Sequence, residues 1–172
     1  MKIKEPIATL TNVAYLVVAV VMVVQDGSAA LIAALTLLTI GSGAFHVLGS
    51  VKNTPAHRAD EGILYAVAGV LVYLAWEANL WVLIIAMLVV GVLMLMLDKV
   101  NVIYPVGVAA VAILAGLVIN GGWQVVVLPL ALAVPAFLAR FLSERFLTDL
   151  LHGVWHVLIA ATVYSVWAAS IP

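Results

Sequence analysis

Ser42 and His46 stand four residues apart, Asp60 opens a later apolar run, and His152 and His156 close the set with a second four-residue spacing. On a helix that spacing puts two side chains on one face about 6 Å apart, near enough for His152 and His156 to share a metal ion. With His46 they offer three imidazoles. Three imidazoles plus a water make a four-coordinate zinc site with an open position, the catalytic rather than the structural arrangement. Asp60 then reads as the base that takes a proton from that water, and Ser42 as a donor to a developing oxyanion or as the group that orients a ligand. The chain has no cysteine, so disulfides and thiolate nucleophiles are excluded and a metal must rest on His, Asp, Glu or Ser.

The elements that carry these groups are apolar. Of 172 residues, 67% are hydrophobic and 9% charged, and the mean hydropathy is +1.29, which is more apolar surface than a soluble domain can hide. Seven basic and eight acidic residues are too few for a nucleic-acid-binding domain or a disordered chain. The balance predicts a multi-pass integral membrane protein, 1–172 forming one domain. A helix needs about 20 residues to cross a roughly 30 Å hydrocarbon layer. Cutting the chain at polar and Gly/Pro punctuation predicts seven spans: Ile7–Val24, Ala29–Gly49, Asp60–Trp76, Leu80–Leu97, Val102–Ile119, Trp123–Ala139 and Leu150–Ser170. The expected fold is an all-α seven-transmembrane helix bundle. Lys2, Lys4, Lys52, Arg58, Lys99, Arg140 and Arg145 then all fall on one side and only Asp26 and Glu77 on the other, which predicts a cytoplasmic N-terminus and an outside C-terminus. The run after Met1–Lys4 is read as a retained first helix, not a cleaved signal.

Ionisable groups inside spans cost on the order of 3 kcal/mol each near the bilayer centre and need a reason. In this topology Ser42 and His46 lie near the end of an inward-running span, and Asp60, His152 and His156 near the starts of outward-running ones, so all converge near the cytoplasmic face. Plainer readings stand beside the metal. A His pair at this spacing can be helix-packing glue or a haem ligand set. Asp60 and Glu61 favour a helix N-terminus, and Ser42 in Gly41-Ser42-Gly43 lets helices approach. His57 reads as a solvated residue of the loop after the second span. Trp76, Trp81 and Trp123 form an interfacial belt, and Trp155 faces neighbouring helices. A retinal protein needs a lysine on the seventh span, and the last is Lys99. A transporter would place its polar groups at the midplane, between broken spans.

The set Gly41-Ser42-Gly43-Ala44-Phe45-His46, Asp60-Glu61 and His152-Gly153-Val154-Trp155-His156 resembles the membrane hydrolase superfamily that includes alkaline ceramidases, progestin and adipoQ receptors and bacterial hemolysin III proteins. The wording is most similar to the alkaline ceramidases, although the residues after Asp60-Glu61 depart from their pattern. The resemblance implies zinc on His46, His152 and His156, with Ser42 and Asp60 beside the activated water. Glu5 to Asn12 is similar to the helix-one signature of the family, which marks Glu5 and Asn12 as a candidate second polar site. In eukaryotic ceramidases an acidic, aromatic segment before this Glu helps bind calcium; only four residues precede Glu5, so no calcium site is expected. The activity implied is that of a zinc-dependent amidohydrolase acting on a ceramide-like N-acyl membrane lipid. The alternative is a non-catalytic receptor-like or hemolysin III-type protein with a structural metal. The expected location is a prokaryotic plasma membrane, and no nucleic-acid partner is expected.

Overall fold

A backbone wrapped in apolar side chains must satisfy its own hydrogen bonds, and a helix does so within one segment. The computed structural model describes residues 5–48, 55–77, 79–95, 103–146 and 148–171, and among them it is helical without a strand. The helices are α1 (Pro6–Thr11), α2 (Val13–Val24), α3 (Ala29–Val47), α4 (Pro55–Ala75), α5 (Leu80–Leu95), α6 (Ile103–Gly121), α7 (Val127–Phe146, led in by a 3-10 turn at Trp123–Val126) and α8 (Asp149–Ala169).

Among the described residues four stretches are long and apolar enough to cross a membrane: Pro6–Val24, Ala29–Val47, Trp123–Phe146 and Asp149–Ala169. This is consistent with an integral membrane protein. Their outward faces carry bare aliphatic side chains such as Val20, Val24, Ile40 and Leu128, each more than half exposed, as a lipid-facing surface requires.

Helix ends follow local chemistry. Asp26 takes a left-handed φ of 53° while the Gly27 N–H bonds back to Met22 O at 2.7 Å, which closes α2 with a Schellman turn. Gly122, at φ 78°, ends α6 where the Asn120-Gly121-Gly122 punctuation predicts a break. Between α1 and α2 the rod bends at Asn12, whose Nδ2–H donates to Ala8 O at 3.1 Å and competes with the helix ladder there.

Two boundaries differ from expectation. The third predicted span begins at Asp60, yet α4 starts at Pro55, a residue suited to the first turn of a helix because its missing N–H has no ladder partner there. His57 therefore lies on a helix and is buried, not solvated in a loop, with its Nε2 3.2 Å from Glu61 Oε1 one turn on. Likewise α7 continues through the predicted Arg140–Asp149 break to Phe146, carried by the i,i+4 pair of Arg140 with Glu144 at 3.0 Å. Of the basic residues used to orient the chain, Lys2, Lys4, Lys52 and Lys99 lie outside the described residues, as do the predicted span ends Gly49, Leu97 and Val102.

α8 is the central helix and packs against α1, α2, α4, α6 and α7. The core around it includes Tyr15, Leu35, Leu38, Leu71, Ala160 and Val163. Gly153 lets α1 lie close, since a Cβ there would stand 2.8 Å from Ile7 Cγ2. α1 also packs on α3, and the three helices together enclose the histidines.

Candidate metal centre

His46 projects from the last turn of α3, and His152 and His156 from the first two turns of α8. His46 and His156 are buried and His152 is half-buried. Their rings meet at centroid separations of 4.7 Å for His46 with His152, 5.1 Å for His46 with His156 and 4.8 Å for His152 with His156. One nitrogen from each lies within 4.8 Å of the others. Tetrahedral zinc with bonds near 2.05 Å asks for nitrogens about 3.3 Å apart, a difference within reach of ring rotation.

The outer nitrogens decide which atoms face inward. His46 Nδ1 lies 2.5 Å from Glu5 Oε2; the ring N–H donates to the carboxylate, which leaves Nε2 as the ligand atom. His156 Nδ1 lies 3.1 Å from Ala8 O and 3.3 Å from Thr11 Oγ1, so its N–H is likewise engaged and Nε2 keeps the lone pair. This pairing of a ring N–H with carboxylate or backbone oxygen is the usual second sphere of a metal-binding histidine. His152 differs. Its Nε2 accepts a 2.8 Å hydrogen bond from Arg140 Nη1, while its Nδ1 stands 3.9 Å from Glu5 Oε2. Two of the three imidazoles are thus arranged as metal ligands, and the third has its one lone pair taken by a guanidinium.

Ser42 is buried one turn deeper on α3 than His46. Its hydroxyl donates to the carboxylate of Asp60 on α4, and Asp60 lies within electrostatic reach of His46, Arg140 and His57. The predicted residues Ser42, His46, Asp60, His152 and His156 accordingly gather at one end of the bundle. Glu5 joins them through His46 and His152. Asn12 sits at the bend of the first rod, bonded to Ala8 O, with its buried Oδ1 lacking a hydrogen-bond partner among the described residues.

Three residues of the site escape the sequence reading. Asp149 accepts hydrogen bonds from Ile7 N–H and Ala8 N–H, both at 2.8 Å, and so fixes the start of α1 against the start of α8. Arg140, read as a charge of a cytoplasmic loop, reaches His152 and sits 5.0 Å over the Trp155 ring. Ala8 contributes only its carbonyl, which no side-chain pattern reveals.

Among the described residues the fold and site define an all-helical protein with four helical stretches able to span a membrane and a largely buried three-histidine cluster able to hold a metal ion. Comparison with protein-family models, curated proteins and solved structures finds no match.

Proposed function

We propose that the protein is a seven-span, zinc-dependent intramembrane lipid hydrolase that cleaves the amide of an N-acyl lipid. The observation that carries this reading is the pairing of two inward-facing Nε2 atoms, on His46 and His156, with the hydrogen-bonded Ser42–Asp60 couple beside them. The resemblance to the superfamily of alkaline ceramidases supports the same assignment, as does the one-sided placement of the basic residues, with the N-terminus cytoplasmic.

His46 and His156 would hold the ion through Nε2, and His152 would join them with its Nε2 released from Arg140. When bound, zinc supplies Lewis acidity to an acyl carbonyl and acidifies a water. Asp60 takes the proton of the attacking water and later delivers it to the leaving nitrogen. The Ser42 hydroxyl holds the Asp60 carboxylate in place, and an oxyanion role for it requires that this bond be released. Glu5 keeps His46 in the tautomer that presents Nε2. An apolar cavity of about 80 Å³ between α4, α6, α7 and α8, lined by Leu64, Leu71, Ile113, Phe137, Trp155 and Val166 among others, offers an aliphatic chain a place beside these groups, because Trp155 lies between the two α8 histidines.

The test is metal content by mass spectrometry on detergent-purified wild type, His156→Ala and Asp60→Ala, followed by release of fatty acid from N-acyl lipids. About one zinc per chain in wild type and Asp60→Ala, its loss in His156→Ala, and hydrolysis by wild type alone are expected. No bound metal after zinc is resupplied would end the reading. One observation favours a second reading, a non-catalytic protein with a structural site: Arg140 holds Nε2 of His152. In that case Asp60→Ala changes thermal stability and no turnover is seen in any variant.

A further inference from the structure

The chain has three arginines, Arg58, Arg140 and Arg145, and Arg140 reaches His152. Its side chain is mostly buried, at 19% exposure. Nη1 donates to His152 Nε2 at 2.8 Å and Nη2 to Glu144 Oε1 at 3.0 Å. Nε is buried with no hydrogen-bond partner among the described residues. A guanidinium is always charged and offers its donors as a planar fork suited to a carboxylate. A buried donor left over at such a fork is costly unless something else takes it.

The surroundings indicate what does. The guanidinium carbon lies 5.0 Å over the Trp155 ring, and the same indole lines the apolar cavity, whose wall is almost wholly hydrocarbon. A lipid tail seated there places its polar end at Trp155, where Arg140 and His152 stand. Glu144 already presents a carboxylate to this fork, yet its side chain is 39% exposed, and i,i+4 pairs of that kind are weak. An incoming carboxylate can therefore displace it.

We propose that Arg140 recognises an acidic head group, so that the lipid handled at this site carries a carboxylate next to its amide, as an N-acyl amino acid does. This rests on the lipid-hydrolase reading above and narrows it. In such a lipid the carboxylate carbon lies within about 4 Å of the acyl carbon by standard bond lengths, and Arg140 stands one hydrogen bond, 2.8 Å, from His152. Hydrolysis breaks the acyl C–N bond, joins the oxygen of water to the acyl carbon and moves a water proton to the leaving nitrogen. A fatty acid and an amino acid result, and no redox partner is needed. Ceramide, whose head group is neutral, leaves the fork unused.

The experiment measures dissociation constants and fatty-acid release for N-palmitoylglycine and for N-palmitoylethanolamine, which differ in carboxylate against hydroxymethyl. The zinc-loaded wild type, Arg140→Gln and Glu144→Gln are compared in detergent. Wild type is expected to bind the acid about tenfold more tightly than the neutral amide, the size of one charge-assisted hydrogen bond. Arg140→Gln should remove that preference. Glu144→Gln should tighten binding of the acid alone, a gain that a misfolded variant cannot mimic. Equal affinity of wild type for the two lipids, or a ratio unchanged in Glu144→Gln, overturns the inference. A phosphate-headed lipid of the same chain preferred over the acid overturns the carboxylate assignment. Cleavage of the neutral amide alone refutes the role of Arg140 and leaves the hydrolase standing, whereas failure of every lipid to bind removes both.

Discussion

Asp149→Ala removes the acceptor of two hydrogen bonds at once, because its Oδ2 and Oδ1 take the N–H groups of Ile7 and Ala8, each at 2.8 Å. A hydrogen bond to a charged group is worth about 1.5–3 kcal/mol, and a buried donor left without a partner costs a similar amount. Ile7 is 40% exposed and Ala8 0% exposed, so water replaces the first bond and leaves the second unmade. The loss is then about 2–3 kcal/mol. Asp149→Asn keeps one acceptor and should lose about 1 kcal/mol. At about 2–4 °C per kcal/mol for a chain of this size, Asp149→Ala lowers Tm by roughly 5–10 °C and Asp149→Asn by less than half of that. Thermal unfolding in detergent, followed by intrinsic tryptophan fluorescence, measures both. Equal Tm for Asp149→Ala and wild type would refute the clamp, and equal damage from Asn and Ala would refute its division into two bonds.

Glu5→Gln replaces the carboxylate on His46 Nδ1 and should weaken zinc binding about 10–100-fold, read by competition with a chelating dye. Gly153→Ala drives a Cβ to 2.8 Å from Ile7 Cγ2 and 3.2 Å from Thr11 Oγ1; it should cost about 1–3 kcal/mol in the same unfolding assay, with loss of zinc affinity as α1 is pushed away. Gly116→Ala meets Ala75 O at 2.7 Å on the far side of the bundle, so it should lower Tm and leave zinc affinity unchanged.

Helices were legible in this sequence because apolar runs and their Gly, Asn and Asp breaks are local features: Asp26-Gly27 and Gly121-Gly122 end helices where they were expected to. The meeting of His46 with His152 and His156 was legible only as a common depth, since four-residue spacing and position near helix ends set depth but not which helices touch. Helix starts at charged segments were less clear. Pro55 and the Arg140–Glu144 pair extend helices into stretches whose polarity reads as loop. The outer sphere of the site was legible only in part: Glu5 stood out as a polar candidate, but neither its pairing with His46 nor Asp149 did. Glu5 reaches His46 across 41 residues and Asp149 reaches Ala8 across 141, and such contacts follow from how three helices pack, not from a repeat along any one of them.

The separation between Ala8 and Asp149 also bears on biogenesis. His46 is synthesised early, but the groups that complete its surroundings belong to the last described helix. The carbonyl of Ala8 and the start of α1 have no α8 partner until that helix has been made. Assembly of the histidine cluster therefore waits for α8, and contacts of such long range form slowly. A chain stopped before Asp149 would carry a single one of the three imidazoles and could not form the cluster.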